Sequence, residues 1–230
     1  MSDGAILLVG ATGLVGRSII AQKERVPQMP LVGLSRREME FPDGVRMELV
    51  LAEPEAWGGV VDALKPKGII CALGTTRSKA GSEDAFRAVD HDLVMQVARK
   101  AKAVGTRRFV LVSSVGADIA SRNFYLRVKG EVERDLRALR LARLDILRPG
   151  LLRGQRQGDT RFLEGMARGL APVTDLFLRG DRAKYRSIQA EQLAAAALQC
   201  IREKANGQFI HEHEALQRLA ARFDRDTGED

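Results

Sequence analysis

Tyr125-Leu-Arg-Val-Lys129 sets a phenol and an ammonium four residues apart. On a helix that spacing stacks both groups on one face. An ammonium beside a phenol favours the phenolate, drawing a side chain with a reference pKa of about 10 toward the working range of a general acid/base. Ser113 and Ser114 follow the apolar run Phe109 to Val112 and precede the tyrosine by eleven to twelve residues. A hydroxyl at the carboxyl end of a strand in an open α/β sheet faces the ligand crevice and can hydrogen-bond a substrate oxygen. A serine there can also simply cap the next turn. Successive strand residues point to opposite faces, so only one of the two can serve, and the expectation is Ser114. The chemistry this set can do is proton transfer at a carbonyl or alcohol oxygen.

A second constellation could hold the other reactant. Val9-Gly10-Ala11-Thr12-Gly13-Leu14-Val15-Gly16 follows the apolar run Ala5 to Val9 and precedes a helical stretch. Strand, glycine-rich turn and helix in that order form a dinucleotide cradle, in which backbone N–H groups and the helix N-terminus meet a pyrophosphate. Gly10 would allow the tight turn, Gly13 the close approach of phosphate to backbone, and Gly16 the packing of helix on strand. The spacing is GxxGxxG rather than GxGxxG. The expected ligand is a nicotinamide dinucleotide.

The second strand bears on which one. An acidic residue about 20 positions beyond the glycine turn accepts the ribose hydroxyls of NAD, whereas arginine accommodates the 2′-phosphate of NADP. Here Leu31 to Leu34 is followed by Ser35-Arg36-Arg37. Guanidinium groups match phosphate geometry, so NADPH is the expected cofactor and NADH the less favoured one, with Glu38 keeping NADH in play.

These groups need a scaffold, and the chain supplies alternating patterns. Strands are expected at Ala5–Val9, Leu31–Ser35, Val45–Leu51, Gly68–Leu73, Arg108–Ser113 and Leu144–Leu147. Helices are expected at Gly13–Lys23, Pro54–Leu64, Ser82–Val104 and Arg122–Arg140. Such βαβ alternation predicts a doubly wound parallel sheet covered by helices on both faces, a Rossmann-like α/β fold. In the long helix Ser82–Val104, Phe86, Val89, Leu93, Val94 and Val97 suit packing on the sheet, and its charged residues are expected to face solvent. After Arg148-Pro-Gly150 the pattern loosens, then turns helical at Glu191–Glu203, with a short strand at Gln208–Ile210 and a last helix to about Phe223. Residues 1–230 read as one domain, in which 151–230 form a C-terminal segment that completes the fold and the substrate pocket.

The glycine turn, the Ser-Tyr-Lys set and the strand order together resemble the short-chain dehydrogenase/reductase superfamily over about residues 4 to 150. Leu73-Gly-Thr-Thr-Arg-Ser-Lys-Ala-Gly81, Val112-Ser-Ser-Val-Gly-Ala-Asp118, Tyr125-Leu-Arg-Val-Lys-Gly-Glu-Val-Glu133 and Leu147-Arg-Pro-Gly-Leu-Leu152 resemble its atypical branch, that of the Tat-interacting oxidoreductase-like proteins. The resemblance implies a Rossmann fold, bound NADPH and an active-site Tyr/Lys pair. It also implies cofactor contacts from Ala72, Leu73, Gly74 and Thr75 on the ribose and nicotinamide side, and from Pro149, Gly150 and Leu151 near the carboxamide. Tyr125 and Lys129 would themselves touch the cofactor. Some members of that branch are regulators, so two functions are expected. One is an NADPH-dependent oxidoreductase acting on a small carbonyl or alcohol. The other is a catalytically weak NADPH sensor that binds a protein partner.

The remaining composition narrows the field. The net charge of +7 comes from arginines spread among acidic residues, with few aromatics, which argues against a nucleic-acid partner. No run approaches the roughly 20 apolar residues of a membrane span. The first strand starts almost at the initial Met, which reads as a cytoplasmic protein without a leader. Cys71 and Cys200 read as buried thiols, and His211-Glu-His213 as a polar entry to the last helix, so neither a disulfide nor a metal site is expected. A monomer or a homodimer fits the chain equally.

Overall fold

The computed structural model describes residues 4–154 and 184–228. Five apolar runs become the central parallel strands: β1 (Ile6–Val9), β2 (Leu31–Ser35), β4 (Gly68–Cys71), β5 (Arg108–Val112) and β6 (Arg143–Leu147). β3 (Glu48–Leu51) lies outside β2, and β9 (Gly207–His211) outside β6. A separate two-stranded piece pairs β7 (Leu152–Arg153) with β8 (Ile188–Gln189). The main sheet has the order β3-β2-β1-β4-β5-β6-β9, all parallel. Ile6 sits between Leu31 and Gly68, so the order reverses at β1. That reversal is the switch point at which ligands bind in open α/β sheets.

Burial on both faces explains why the strands read as continuous apolar runs. Ile6, Leu8, Ile70 and Val110 enter one core layer with α1 (Leu14–Ala21), α7 (Ala190–Arg202) and α8 (His213–Thr227). Leu7, Val9, Ile69, Phe109 and Leu111 enter the other, with α2 (Trp57–Leu64), α5 (Leu93–Ala103) and α6 (Phe124–Ala138). The strand period of two separates the layers. In α7 the small residues Ala194 to Ala197 are buried, and the Gln22 amide donates to the Glu191 carbonyl at 2.8 Å, tying α1 to α7. α8 contributes Leu216, Ala220 and Phe223 on one stripe.

The long helix expected over Ser82–Val104 is interrupted. Ser82 caps α4 (Glu83–Arg87) by accepting from the Ala85 amide, a wider π turn follows at Ala88–Asp92, and α5 begins at Leu93. A shorter helix, α3 (Arg77–Ala80), precedes them. The π turn carries one extra residue per turn and rotates the chain about its axis. Contrary to the expectation of solvent-facing charge, Asp90 and His91 are buried there. Among the described residues no helix is long and apolar enough to cross a membrane. Much of the expected pocket-covering segment, residues 155–183, lies outside the described part.

Candidate functional site

The glycine turn folds because three positions need different things. Gly10 has φ +91, and a Cβ there would come within 2.7 Å of the Ala72 carbonyl group. A Cβ on Gly16 would overlap the Gly10 carbonyl oxygen and the Ala11 backbone. Gly13 differs, since its Cβ would stand 3.4 Å from the Gly10 oxygen and 3.9 Å from that of Ala72, and its φ of −73 suits any residue. The protein's own packing therefore does not require glycine at 13, and the open space above it is room for a ligand. Gly13 is the N-cap of α1, whose first turn has neither a side-chain cap nor an acidic residue. That leaves its amides for an anion.

Two cavities meet over this turn. The larger, about 520 Å³, is lined by Thr12, Gly13, Leu14 and Val15 from the turn and α1, and by Ala72, Leu73, Gly74 and Thr75 after β4. Tyr125, Lys129 and Ser113 complete the wall on the far side, with Arg17, Lys79 and Leu152 also facing in. The smaller cavity, about 270 Å³, shares Thr12, Gly13 and Ala72 to Thr75, then runs to Ser35, Arg36, Arg37, Trp57 and Val89. Together they cross the switch point from β2 to α6. The Ser35 hydroxyl donates to the Arg37 carbonyl at 2.8 Å and accepts from the Arg37 amide, which shapes the turn and leaves both guanidinium groups exposed.

Tyr125 and Lys129 share one face of α6, as their spacing requires, and both open into the larger cavity. The Tyr125 ring leans on Phe86 with centroids 5.6 Å apart. Asn123 caps α6 by accepting from the Leu126 amide at 3.3 Å. Gly130 lets the segment after β5 lie against the helix, since a Cβ there would overlap the Asp118 and Ile119 backbone.

Of the two serines, Ser113 is the one on the cavity wall, whereas the expectation was Ser114. Ser113 lies just past β5, is buried, and donates to a Glu133 carboxylate oxygen at 2.6 Å. Ser114, half-buried outside the lining, reaches the Val115 carbonyl at 3.3 Å. Ala11 and Gly16 are buried packing elements beneath the turn. Pro149, Gly150 and Leu151 also stand outside both linings. The Pro149 carbonyl accepts from the Val115 amide, Gly150 lies against the carbonyls of Tyr185 and Arg186, and Leu151 is exposed, with its neighbour Leu152 at the cavity instead.

Two carboxylates organise the wall. Asp90 is fully buried; its Oδ1 pairs with Lys129 Nζ at 2.8 Å and its Oδ2 accepts from the Thr75 amide at 2.8 Å. Burial alone would push the Lys129 ammonium down, but the Asp90 charge, aided by Tyr125 and Cys71, holds it above the ordinary lysine value. Glu133, also buried, accepts from Ser113, from Arg148 at 2.6 and 3.0 Å and from Arg137 at 3.1 Å. Burial pushes the Cys71 thiol up to about 11, opposed by a Leu73 hydrogen bond and by Lys129. Sequence reasoning passed over both acids. The pattern that marks them is position: Asp90 is four residues from Phe86 and from Val94 on the apolar stripe, and Glu133 one turn beyond Lys129.

A third polar cluster lies outside both cavity linings. Asp145, Cys200 and His211 have potential ligand atoms within 4.8 Å of one another. The Asp145 carboxylate is already held by the Arg143 guanidinium at 2.6 and 2.8 Å and by His211 Nε2 at 2.8 Å. Burial and then the Asp145 charge raise the Cys200 thiol well above its usual value, away from the thiolate a metal takes. This is an ion-pair network that fastens β6 to β9.

The doubly wound sheet, with its glycine turn at the switch point, places the protein in the class of Rossmann-type α/β proteins that includes the short-chain dehydrogenases/reductases. Among solved structures it is similar to a UDP-glucose 4-epimerase of Thermotoga maritima, with TM-score 0.67 and 14% identity, covering 98% of this chain and 83% of that one. It is likewise similar to the ADP-L-glycero-D-manno-heptose-6-epimerase of Helicobacter pylori, with TM-score 0.69 and 12% identity over 99% and 84% of the two chains. The Bordetella bronchiseptica enzyme WbmH, in complex with NAD+, has TM-score 0.66 and 14% identity over 95% and 79%.

Sequence relatives are more specific. The family model HIM1 matches residues 62–173. The fmp52 protein of Emericella nidulans is 38% identical, the match spanning 72% of this chain and 74% of the relative, and FMP52 of Candida albicans is 31% identical over 88% and 90%. The chain belongs to the FMP52 family. The matched relatives carry that name rather than that of the Tat-interacting oxidoreductase-like proteins, and the solved structures bear out the Rossmann-type fold alone. Their names also call them mitochondrial, which overturns the expectation of a cytoplasmic protein. A start close to the first strand was insufficient ground for that expectation.

Proposed function

We propose that this protein is an NADPH-dependent oxidoreductase of the short-chain dehydrogenase/reductase type, acting on a small carbonyl or alcohol. The observation that carries the reading is that Tyr125 and Lys129 open into the same cavity as the glycine turn, while Arg36 and Arg37 line the adjoining one. The residues present fit a dinucleotide: the turn is open above Gly13, α1 has no side-chain cap at its N-terminus, and the two cavities share Thr12, Gly13 and the wall Ala72 to Thr75. The NAD+ held by the WbmH enzyme supports a nicotinamide dinucleotide, and the two arginines support the 2′-phosphate form.

When bound, the cofactor supplies or accepts the hydride. Tyr125 donates a proton to the substrate oxygen during reduction and accepts it during oxidation. Lys129, charged because Asp90 faces it, would hold the ribose hydroxyls. Ser113 or Ser114 orients the substrate oxygen. With its proton donated to Glu133, Ser113 turns a lone pair toward the cavity and accepts from a donor there. Residues 151–230 complete the fold and the substrate pocket, a reading supported by Leu152 in the lining and by α7 packed on α1.

That committed Ser113 proton also favours the second reading, a catalytically weak NADPH sensor that presents its cofactor state to a protein partner. The two readings separate in a screen of carbonyl compounds with NADPH deuterated at either face of the nicotinamide. An oxidoreductase transfers label from one face to product, and the Tyr125→Phe protein loses the transfer. Tight NADPH binding without transfer to any compound favours the sensor.

A further inference from the structure

Lys129 is buried to 5% side-chain exposure at the wall of the larger cavity, and its Nζ meets Asp90 Oδ1 at 2.8 Å. Asp90 is 0% exposed and comes from a different element, the π turn Ala88–Asp92. Its second oxygen accepts from the Thr75 amide at 2.8 Å, in the segment after β4 that both cavities share. The pair lies under Gly74: a Cβ there would stand 3.7 Å from Asp90 Oδ1 and 4.0 Å from Lys129 Nζ. With glycine at 74, no side chain of that residue lies between the ion pair and the cavity wall to which both partners belong. One carboxylate links the helix of Tyr125, the π turn and the shared wall of the two cavities.

We propose that Asp90 is the positioning residue of this site, fixing the Lys129 ammonium against the Thr75 main chain so that a charged, immobile donor faces the bound dinucleotide. The proposal rests on the reading that Lys129 contacts the cofactor. An ammonium buried this deeply without a counter-ion sheds its proton, because desolvation disfavours the charged form. The groups facing it are Asp90 from the π turn, Tyr125 from its own helix and Cys71 from β4, and of these Asp90 is in direct contact. The Cys71 thiol, held up at about 11, carries no charge at neutral pH. Asp90 is therefore what keeps Lys129 charged in the range where the protein works. The π turn is the device that delivers it, since the local rotation brings an acid on the helix stripe into the site.

With Asp90 present, Lys129 stays protonated up to its raised value, so its hold on the cofactor persists until the pH climbs past the ordinary lysine range. In Asp90→Asn the ammonium loses its proton at lower pH and the hold is lost there.

The test is NADPH affinity of the intact protein, measured by calorimetry at intervals from about pH 6.5 to 9.5, for the unmodified chain, Asp90→Asn, Lys129→Gln and the double variant. The unmodified chain should keep a constant affinity. Asp90→Asn should lose about tenfold per pH unit above its lowered Lys129 midpoint, and the double variant should match Lys129→Gln. A merely structural Asp90 would weaken binding by the same factor at every pH, and that result overturns the proposal. Unchanged affinity in Lys129→Gln would instead overturn the reading that Lys129 touches the cofactor. Should Asp90→Asn fail to fold, carbon-13 NMR of the Lys129 Cε in the unmodified protein decides. Absence of titration below about pH 10 supports the proposal, and a midpoint below about pH 10 overturns it.

Discussion

The Ser113 hydroxyl donates to Glu133 at 2.6 Å, and the same carboxylate holds Arg148 through two further hydrogen bonds. The ends of β5 and β6 are thereby bolted to α6 directly behind the cavity wall. Glu133 has 1% side-chain exposure and Arg148 19%, so the pair is screened little by solvent. Glu133→Gln keeps the shape and removes the charge that Arg148 needs. The expected cost is about 3–4 kcal/mol, the lower part of the range for breaking a buried pair because Arg148 is partly wet. Urea unfolding should show a lower midpoint with an unchanged m-value.

The glycines of the turn should divide by role. Gly16→Ala pushes a methyl into the Gly10 carbonyl and should destabilise the fold by about 1–3 kcal/mol, with nucleotide affinity reduced as a consequence. Gly13→Val has space in the protein itself and should leave thermal unfolding nearly unchanged while abolishing measurable NADPH binding. Thermal scans with and without NADPH distinguish the two. A Gly13→Val protein still stabilised by NADPH would place the cradle elsewhere.

Arg36 and Arg37 are exposed and line the smaller cavity. Replacing both with alanine should weaken NADPH by roughly 10- to 100-fold, as expected for lost hydrogen bonds to a charged group, and leave NADH within about twofold. Raising the salt concentration should narrow the difference between the variant and the unmodified chain.

Tyr125→Phe removes a hydroxyl and keeps the ring on Phe86. Turnover of a reactive carbonyl should fall by about 100-fold or more with NADPH affinity retained. Lys129→Met should reduce both, since the charge and the hydrogen-bond donor go together. Equal turnover in Tyr125→Phe and the unmodified protein would remove the tyrosine from the mechanism.

The sheet was legible because a parallel strand buried on both faces needs an unbroken apolar run, and β1, β2, β4 and β5 are such runs. The glycine turn and the Tyr125–Lys129 spacing were legible for a similar reason, since each is a short-range pattern with one conformational solution. Asp90 was passed over because a charged residue on a helix reads first as solvent-facing, although its spacing of four from Phe86 and Val94 sets it on the apolar stripe. The placement of Ser113 rather than Ser114 on the cavity wall was not legible because β5 ends at Val112, one residue before the expected end, and strand alternation does not extend into the following loop. Arg143 and Asp145 escaped notice as a pair because they alternate within β6, where charge argues against a buried strand, yet each neutralises the other at 2.6 Å.

The most direct test of the account is calorimetric titration of the unmodified protein with NADPH and, separately, with NADH. One site per chain is predicted, with NADPH bound at least about tenfold more tightly because only it offers the 2′-phosphate to Arg36 and Arg37. Equal affinity for the two, or heat from neither, would contradict it.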